Sequence, residues 1–198
     1  MEQFYLEIPS LNRKNDIIDY LNEFVIFHSD LNGAGYLDKI LSGLSFEEAL
    51  AGCLNLQYEE YANKLGRCQS KTFLLIRKND NKLIGTINVR WNLSEQMKQF
   101  GGNIGYGIRP TERRKGYNKI NLYLGLLEAQ KLGLEEVMLD CETTNIASSK
   151  TMESLGGILK KTEIDPADGL LTSVYIIDVK KSLEEYKNIY LSKIYTKK

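Results

Sequence analysis

At Thr72 the spacing of apolar residues changes from three or four positions to two, which limits the chain to folds where helices and a sheet share a core. Phe73 to Ile76, a polar turn at Asn79-Asp80-Asn81 and the run Lys82 to Val89 predict two antiparallel strands joined by a hairpin. A third strand, Gly101 to Arg109, is thinned by Gly105 and Gly107 and ends at Pro110. The sequence then predicts a long apolar helix from about Arg114 to Leu132, closed by Gly133. A compact strand from Val137 to Cys141, of the kind buried on both faces, follows it.

Flanking segments complete the architecture. Phe4 to Ile8 alternates like a strand, and Ile17, Ile18, Leu21, Phe24 and Val25 recur at helical spacing up to His28, where Gly33 and Gly35 break the pattern. Ser45 and Glu48 form a capping-box pattern that opens a helix running to Gly66. After the long helix come a short helix from Asn145 to Leu155, a strand Ile158 to Thr162, the turn Asp165 to Gly169, and a last antiparallel strand Leu171 to Val179. Ser182 to Lys198 carries Leu183, Tyr186, Ile189 and Tyr190 at helical spacing, an appended helix with a basic, frayed end. The expected class is α/β (α+β): a mixed, mostly antiparallel central sheet with helices on both faces.

Composition removes several functions. At 198 residues one domain is expected, and 26 basic residues balance 26 acidic ones, so no overall field draws in nucleic acid or an anionic membrane. Three unclustered cysteines (Cys53, Cys68, Cys141) and one histidine argue against a disulfide framework or a zinc site. Without a signal-like start or a membrane-length apolar run, a reducing cytoplasm is the expected location.

Any anion site must therefore be local, and one segment suits the task. In Ile108-Arg109-Pro110-Thr111-Glu112-Arg113-Arg114-Lys115-Gly116-Tyr117-Asn118 a strand passes through three successive cations and a glycine into a helix. A helix start leaves amide hydrogens without partners and concentrates partial positive charge, so diphosphate oxygens can be held there, and Arg113, Arg114 and Lys115 can add charge-assisted bonds. A solvated surface turn would account for an isolated run of this kind. The spacing fits neither a nucleoside-triphosphate loop nor a dinucleotide loop.

The motifs around that turn carry a resemblance. Arg113-x-x-Gly116-x-Asn118, preceded by Gly101-Gly102-Asn103-Ile104-Gly105-Tyr106 and followed by Asn145-Ile146-Ala147-Ser148 and Gly156-Gly157, makes Ile104 to Gly157 similar to the coenzyme-A-binding core of the GNAT superfamily of N-acetyltransferases. Within it the chain resembles a subgroup of predicted small bacterial acetyltransferases. The resemblance implies a domain over 1–180, with its core at about 71–163 and a tail at 181–198, whose central strands splay apart. It implies acetyl-CoA as cosubstrate, no metal, a small-molecule or peptide amine as acceptor, and a possible homodimer. It also implies that the strand ending at Ile108 pairs with the pantetheine arm, with Gly105 and Gly107 leaving room. Arg113 to Asn118, including Tyr117, would hold the diphosphate, Asn145 would bond the arm, and Ser148 would border it. Asn145 reads equally as a helix cap.

For the general base the resemblance points to Asp140, five residues before Asn145, with Glu142 second and Tyr106 third. Ordinary solvated carboxylates and a packed aromatic are the bland alternatives. Two departures from the family pattern stand out. Asn118 replaces a small residue beside the phosphates, and Met152 stands where many members have a tyrosine to protonate the sulfur. Water, Ser148 or Ser149 would then supply that proton, or the thiolate leaves unaided. Cys141 reads as an apolar filler sooner than a nucleophile, and His28 receives no role. The competing function is a non-catalytic coenzyme-A sensor or interaction module.

Overall fold

Strand β2 (Gln69–Arg77) shows why the sequence needs two layers of helix, because successive residues feed opposite cores. Phe73 and Leu75 face one cluster, and Leu74 and Ile76 face the other. The computed structural model describes residues 2–196. The basic pair Lys197-Lys198, expected at the frayed end of the chain, lies outside the described residues. No helix among the described residues is long and apolar enough to cross a membrane.

One sheet has the order β1-β2-β3-β4, formed by Phe4–Glu7, β2, Lys82–Trp91 and Ile104–Ile108. The other consists of β5 (Glu136–Glu142), β6 (Ile158–Ile164) and β7 (Leu171–Asp178), with β7 in the middle. Every strand pair is antiparallel. Helix α1 (Lys14–Ile26) and helix α2 (Phe46–Asn55) cover one face through Ile17, Tyr20, Leu21, Phe24, Phe46 and Leu50. Short α3 (Glu59–Lys64) follows them. The other face holds α4 (Tyr117–Lys131), α5 (Ile146–Glu153) and α6 (Val179–Tyr190). Antiparallel sheets flanked by helices are the expected class.

Several boundaries moved, each for a physical reason. The capping box at Ser45 and Glu48 is present in full, but the helix it opens does not run to Gly66. Leu56 is buried and its carbonyl accepts the Ser70 amide at 3.0 Å, so strand β2 interrupts the helix and α3 restarts it. Strand β4 begins at Ile104 instead of Gly101, because the preceding residues bend to meet β5. Helix α4 begins at Tyr117, since Arg114 (φ 62°) and Gly116 (φ 77°) hold left-handed backbone. The expected division at 180/181 falls inside α6. That helix packs Leu183 and Tyr190 into the main core, and Tyr123 on α4 donates its hydroxyl to the Leu183 carbonyl at 3.2 Å.

Candidate active site

The two sheets touch at one point and part beyond it. Asn103 donates its side-chain amide to the Arg90 carbonyl at 3.1 Å and accepts the Met138 amide at 2.9 Å, while its own N–H donates to the Met138 carbonyl at 2.7 Å. One side chain thus rivets β3, β4 and β5 together. The approach is close enough that a Cβ on Gly102 would sit 2.2 Å from the Met138 carbonyl oxygen, so only glycine fits. From Ile104 onward no ladder joins β4 to β5 among the described residues.

The register of β4 decides which backbone groups face the gap. Arg90 donates to the Asn103 carbonyl and Arg109 to the Ile84 carbonyl, so the odd-numbered residues of β4 bond β3 and Ile104, Tyr106 and Ile108 turn their amides outward. That open edge leads into the turn Pro110–Glu112 and then to the start of α4. The first amides of α4 have no preceding helical carbonyl to bond. α4 is buried on most sides, with Ile120, Leu122, Leu124 and Leu126 in the core, so its axis is fixed on the gap.

A cavity of about 780 Å³ fills the gap, within the range of small-molecule sites. At one end it is lined by Ile108, Arg113, Arg114, Gly116, Tyr117 and Asn118, and at the other by Asp140, Glu142, Asn145 and Ser148. Lys115 does not line it. Its ammonium turns to Glu112 at 2.8 Å.

Their environments differ. Arg113 folds back beneath the turn, donating to the Ile108 carbonyl at 3.1 Å and to the Ser29 hydroxyl at 2.7 Å, with its guanidinium 5.5 Å from the Phe24 ring centre. Tyr117 puts its ring in the core and its hydroxyl on the Glu2 carboxylate, leaving its backbone at the helix start. Asn118 has a buried side-chain oxygen with no hydrogen-bond partner. Asn145 caps α5, accepting the Ser148 amide at 3.1 Å, which is the cap reading.

At the far end Asp140 accepts the Gly101 amide at 2.6 Å. Burial raises its carboxyl above the ordinary value, against the opposing pull of that amide and of Arg90. Glu142 is exposed at the rim. Tyr106 shares a hydrogen bond of 2.9 Å with the Ser148 hydroxyl, and burial drives its phenol upward, so it holds its proton and is a poor base. Burial likewise raises the Cys141 thiol, which removes the thiolate a covalent role requires. Met152 is fully buried in the main core. His28 takes left-handed backbone (φ 47°) after α1 and lies outside the cavity lining.

Supporting residues escaped the sequence reading. Glu112 is 4% exposed and receives Arg77, Lys82 and Lys115 at 3.0, 2.7 and 2.8 Å. Burial alone would raise its carboxyl, but these cations outweigh it and hold the pKa at about 2. Arg109 is buried against Asp19 and Glu23 at 2.6 and 3.0 Å, and Glu23 also accepts the Thr111 amide, tying the turn to α1. Arg90 lines the cavity from the end of β3. Its sequence signal was the polar period Thr86, Asn88, Arg90 inside an otherwise apolar strand. The room expected beside Gly105 and Gly107 is taken on one face by the protein itself. A Cβ on Gly107 would meet the Asn32 carbonyl oxygen at 2.5 Å.

A family model described as an acetyltransferase (GNAT) domain matches residues 27–158. Among solved structures, a GNAT-family acetyltransferase from Bacillus anthracis aligns with a TM-score of 0.56 at 16% identity, covering 90% of this chain and 96% of its own. A ribosomal-protein alpha-N-acetyltransferase in complex with coenzyme A gives 0.62 at 16% identity, covering 89% and 96%. A dodecameric spermidine N-acetyltransferase from Vibrio cholerae gives 0.60 at 14%, covering 92% and 98%. At such identities these structures establish the fold alone. No curated protein matches the chain. The family model spans most of the chain and takes in the riveted apex, the open strand edge, the cationic turn and the start of α4, and the chain belongs to the GNAT acetyltransferase family.

Proposed function

We propose that this protein moves an acetyl group from acetyl-CoA to an amine by direct transfer. The observation that carries the reading is the open edge of β4, which runs straight to the unpaired amides of α4 along a single cavity. An extended arm with an anionic end fits such a groove: edge amides and carbonyls bond the arm, and the helix start takes the diphosphate. Gly116, exposed and with nothing within 4 Å of an added Cβ, leaves the anion a clear approach. The Asn118 side chain can aid that anion only through its amide N–H groups, since its buried, unpartnered atom is the acceptor oxygen.

Acetyl-CoA supplies an activated thioester; the residues at the far end do the rest. Asp140, with its raised carboxyl, takes the proton that the amine loses as its nitrogen bonds the acyl carbon. The outward amides of Tyr106 and Ile108 are placed to donate to an oxygen that gains charge. Ser148, bonded to Tyr106 at 2.9 Å, can turn its hydroxyl hydrogen to the departing sulfur and stabilise it by a hydrogen bond, which offsets the absence of a tyrosine at Met152. Alignment of amine and thioester contributes roughly 7–11 kcal/mol of the barrier on general grounds, so modest acid and base help suffices. Free Cys53, Cys68 and Cys141 suit the reducing cytoplasm proposed as its location.

Calorimetric titration with acetyl-CoA and a thiol-release screen of amines, amino acids and peptides test this reading. Binding followed by thiol release is expected, and absence of binding overturns it. Burial of Met152 favours a second reading, a coenzyme-A sensor, which would bind acetyl-CoA yet release no thiol with any amine.

A further inference from the structure

A guanidinium lines the cavity with no hydrogen bond or ion pair to it among the described residues. Arg90 lines the end that also holds Gly101, Gly105, Tyr106 and Asp140. Its Nε is fully buried and makes no hydrogen bond among the described residues. Burial works against its positive form, and charge reaches it at longer range, Cys68 and Asp140 favouring it and Arg67 opposing it. Its neighbours on the same strand face are satisfied, since Thr86 bonds the Tyr20 hydroxyl at 3.0 Å and Asn88 bonds Thr72 at 3.0 Å. A planar, permanently charged fork, half-buried in the cavity wall with its Nε sealed off and no carboxylate bonded to it among the described residues, calls for an anion.

Position says which anion. Arg90 packs against Gly105, with Nη2 3.0 Å from where a Cβ would be, so it lies near the start of β4, whereas the diphosphate turn follows the end of that strand. Ile104 to Ile108 spans about 13 Å at the usual rise of a strand, too far for one phosphate group to serve both ends. No carboxylate of this end bonds the guanidinium among the described residues. Asp140 accepts the Gly101 amide, Asp165 the Ala167 amide and Asp168 the Leu170 amide.

Resting on the acetyltransferase reading, we infer that Arg90 receives a carboxylate carried by the amine acceptor itself. The acceptor is then an amine with a nearby carboxylate, its nitrogen beside Asp140 and its anion on Arg90. A free amino acid provides that chemistry, and so does a peptide whose second residue is acidic.

The test pairs acceptors that differ in the anion alone. Thiol release from acetyl-CoA is followed with free glycine, alanine, serine, methionine and phenylalanine against their primary amides. A dipeptide amide ending in glutamate is set against one ending in glutamine. Calorimetry of the same compounds into enzyme saturated with coenzyme A supplies a readout apart from turnover. The expected preference for the carboxylate member in one of the two arms is about 10–100-fold, mostly in KM, as for loss of a charge-assisted hydrogen bond. Amides have the more readily neutral amine, so nucleophilicity cannot produce that preference. Arg90→Gln should collapse it below about threefold and Arg90→Lys should keep part of it, with coenzyme A affinity reporting that both variants are folded. Coenzyme A binding combined with equal or better use of the uncharged members overturns the inference and leaves the acetyltransferase standing. So does coenzyme A binding with no binding of any carboxylate member. Failure of the native protein to bind coenzyme A overturns the acetyltransferase reading first.

Discussion

The two ends of the cavity are built by opposite rules. The end proposed for the diphosphate comes from one contiguous stretch, Ile108 to Asn118, and offers mainly backbone: the first amides of α4 and the edge of β4. The end proposed for the acceptor gathers Arg90 from β3, Asp140 from β5 and the Asp165 turn from between β6 and β7, and it offers side chains. A main-chain site tolerates most substitutions but not a change of shape or charge at its one glycine. A side-chain site loses its chemistry when a single atom changes. The lesson is that resemblance points to the first end, while the specificity proposed above depends on the second.

Substitutions can break this contrast, and the largest effect is expected at the backbone end. Gly116→Asp puts a Cβ on left-handed backbone (φ 77°) and an anion against the proposed phosphate position. Acetyl-CoA affinity should fall by more than about 100-fold, roughly 3 kcal/mol, in calorimetry. Near-native affinity would show that the helix start is not the diphosphate site.

Asp140→Asn should lower kcat about 100-fold at neutral pH while leaving acetyl-CoA affinity within a few fold. Because burial raises this carboxyl, the active base form is lost as pH falls through a value above that of an exposed aspartate. The native pH–rate profile should therefore carry an acid limb there, and the variant should not. A limb that survives the substitution assigns the base elsewhere.

The smallest effect concerns the support beneath the turn. Glu112→Gln removes the charge that Arg77, Lys82 and Lys115 neutralise, and should cost about 2 kcal/mol in urea denaturation near pH 7. The folded-state pKa lies below the ordinary glutamate value, so this stability is complete above about 4.5 and is lost as pH falls toward about 2. The gap between native and variant should close over that window. A constant gap would mean that packing, not charge, holds the turn.

How far the sequence could be read follows the same division. The hairpin of β2 and β3, the long helix, the capping box and the cationic turn were all legible because each depends on neighbours within a few residues. Asp140 and Glu142 were legible only through resemblance, though alternation along β5 does bring both to the cavity. Glu112 read as one more surface carboxylate, and nothing local announced that cations from β2, β3 and its own turn would surround it. Gly105 and Gly107 read as room for a ligand, yet residues 32 and 33 occupy part of that room.

The sequence by itself determined the elements, their order and the cationic turn into a helix start, because hydrogen-bonding and apolar periodicity are properties of contiguous chain. Tertiary structure alone decided that β4 and β5 part after the Asn103 rivet, and that Arg90 reaches the cavity near Asp140 with its Nε sealed off and unbonded among the described residues. Those facts depend on which distant segments exclude water and how closely their backbones approach, and no spacing within one segment encodes that.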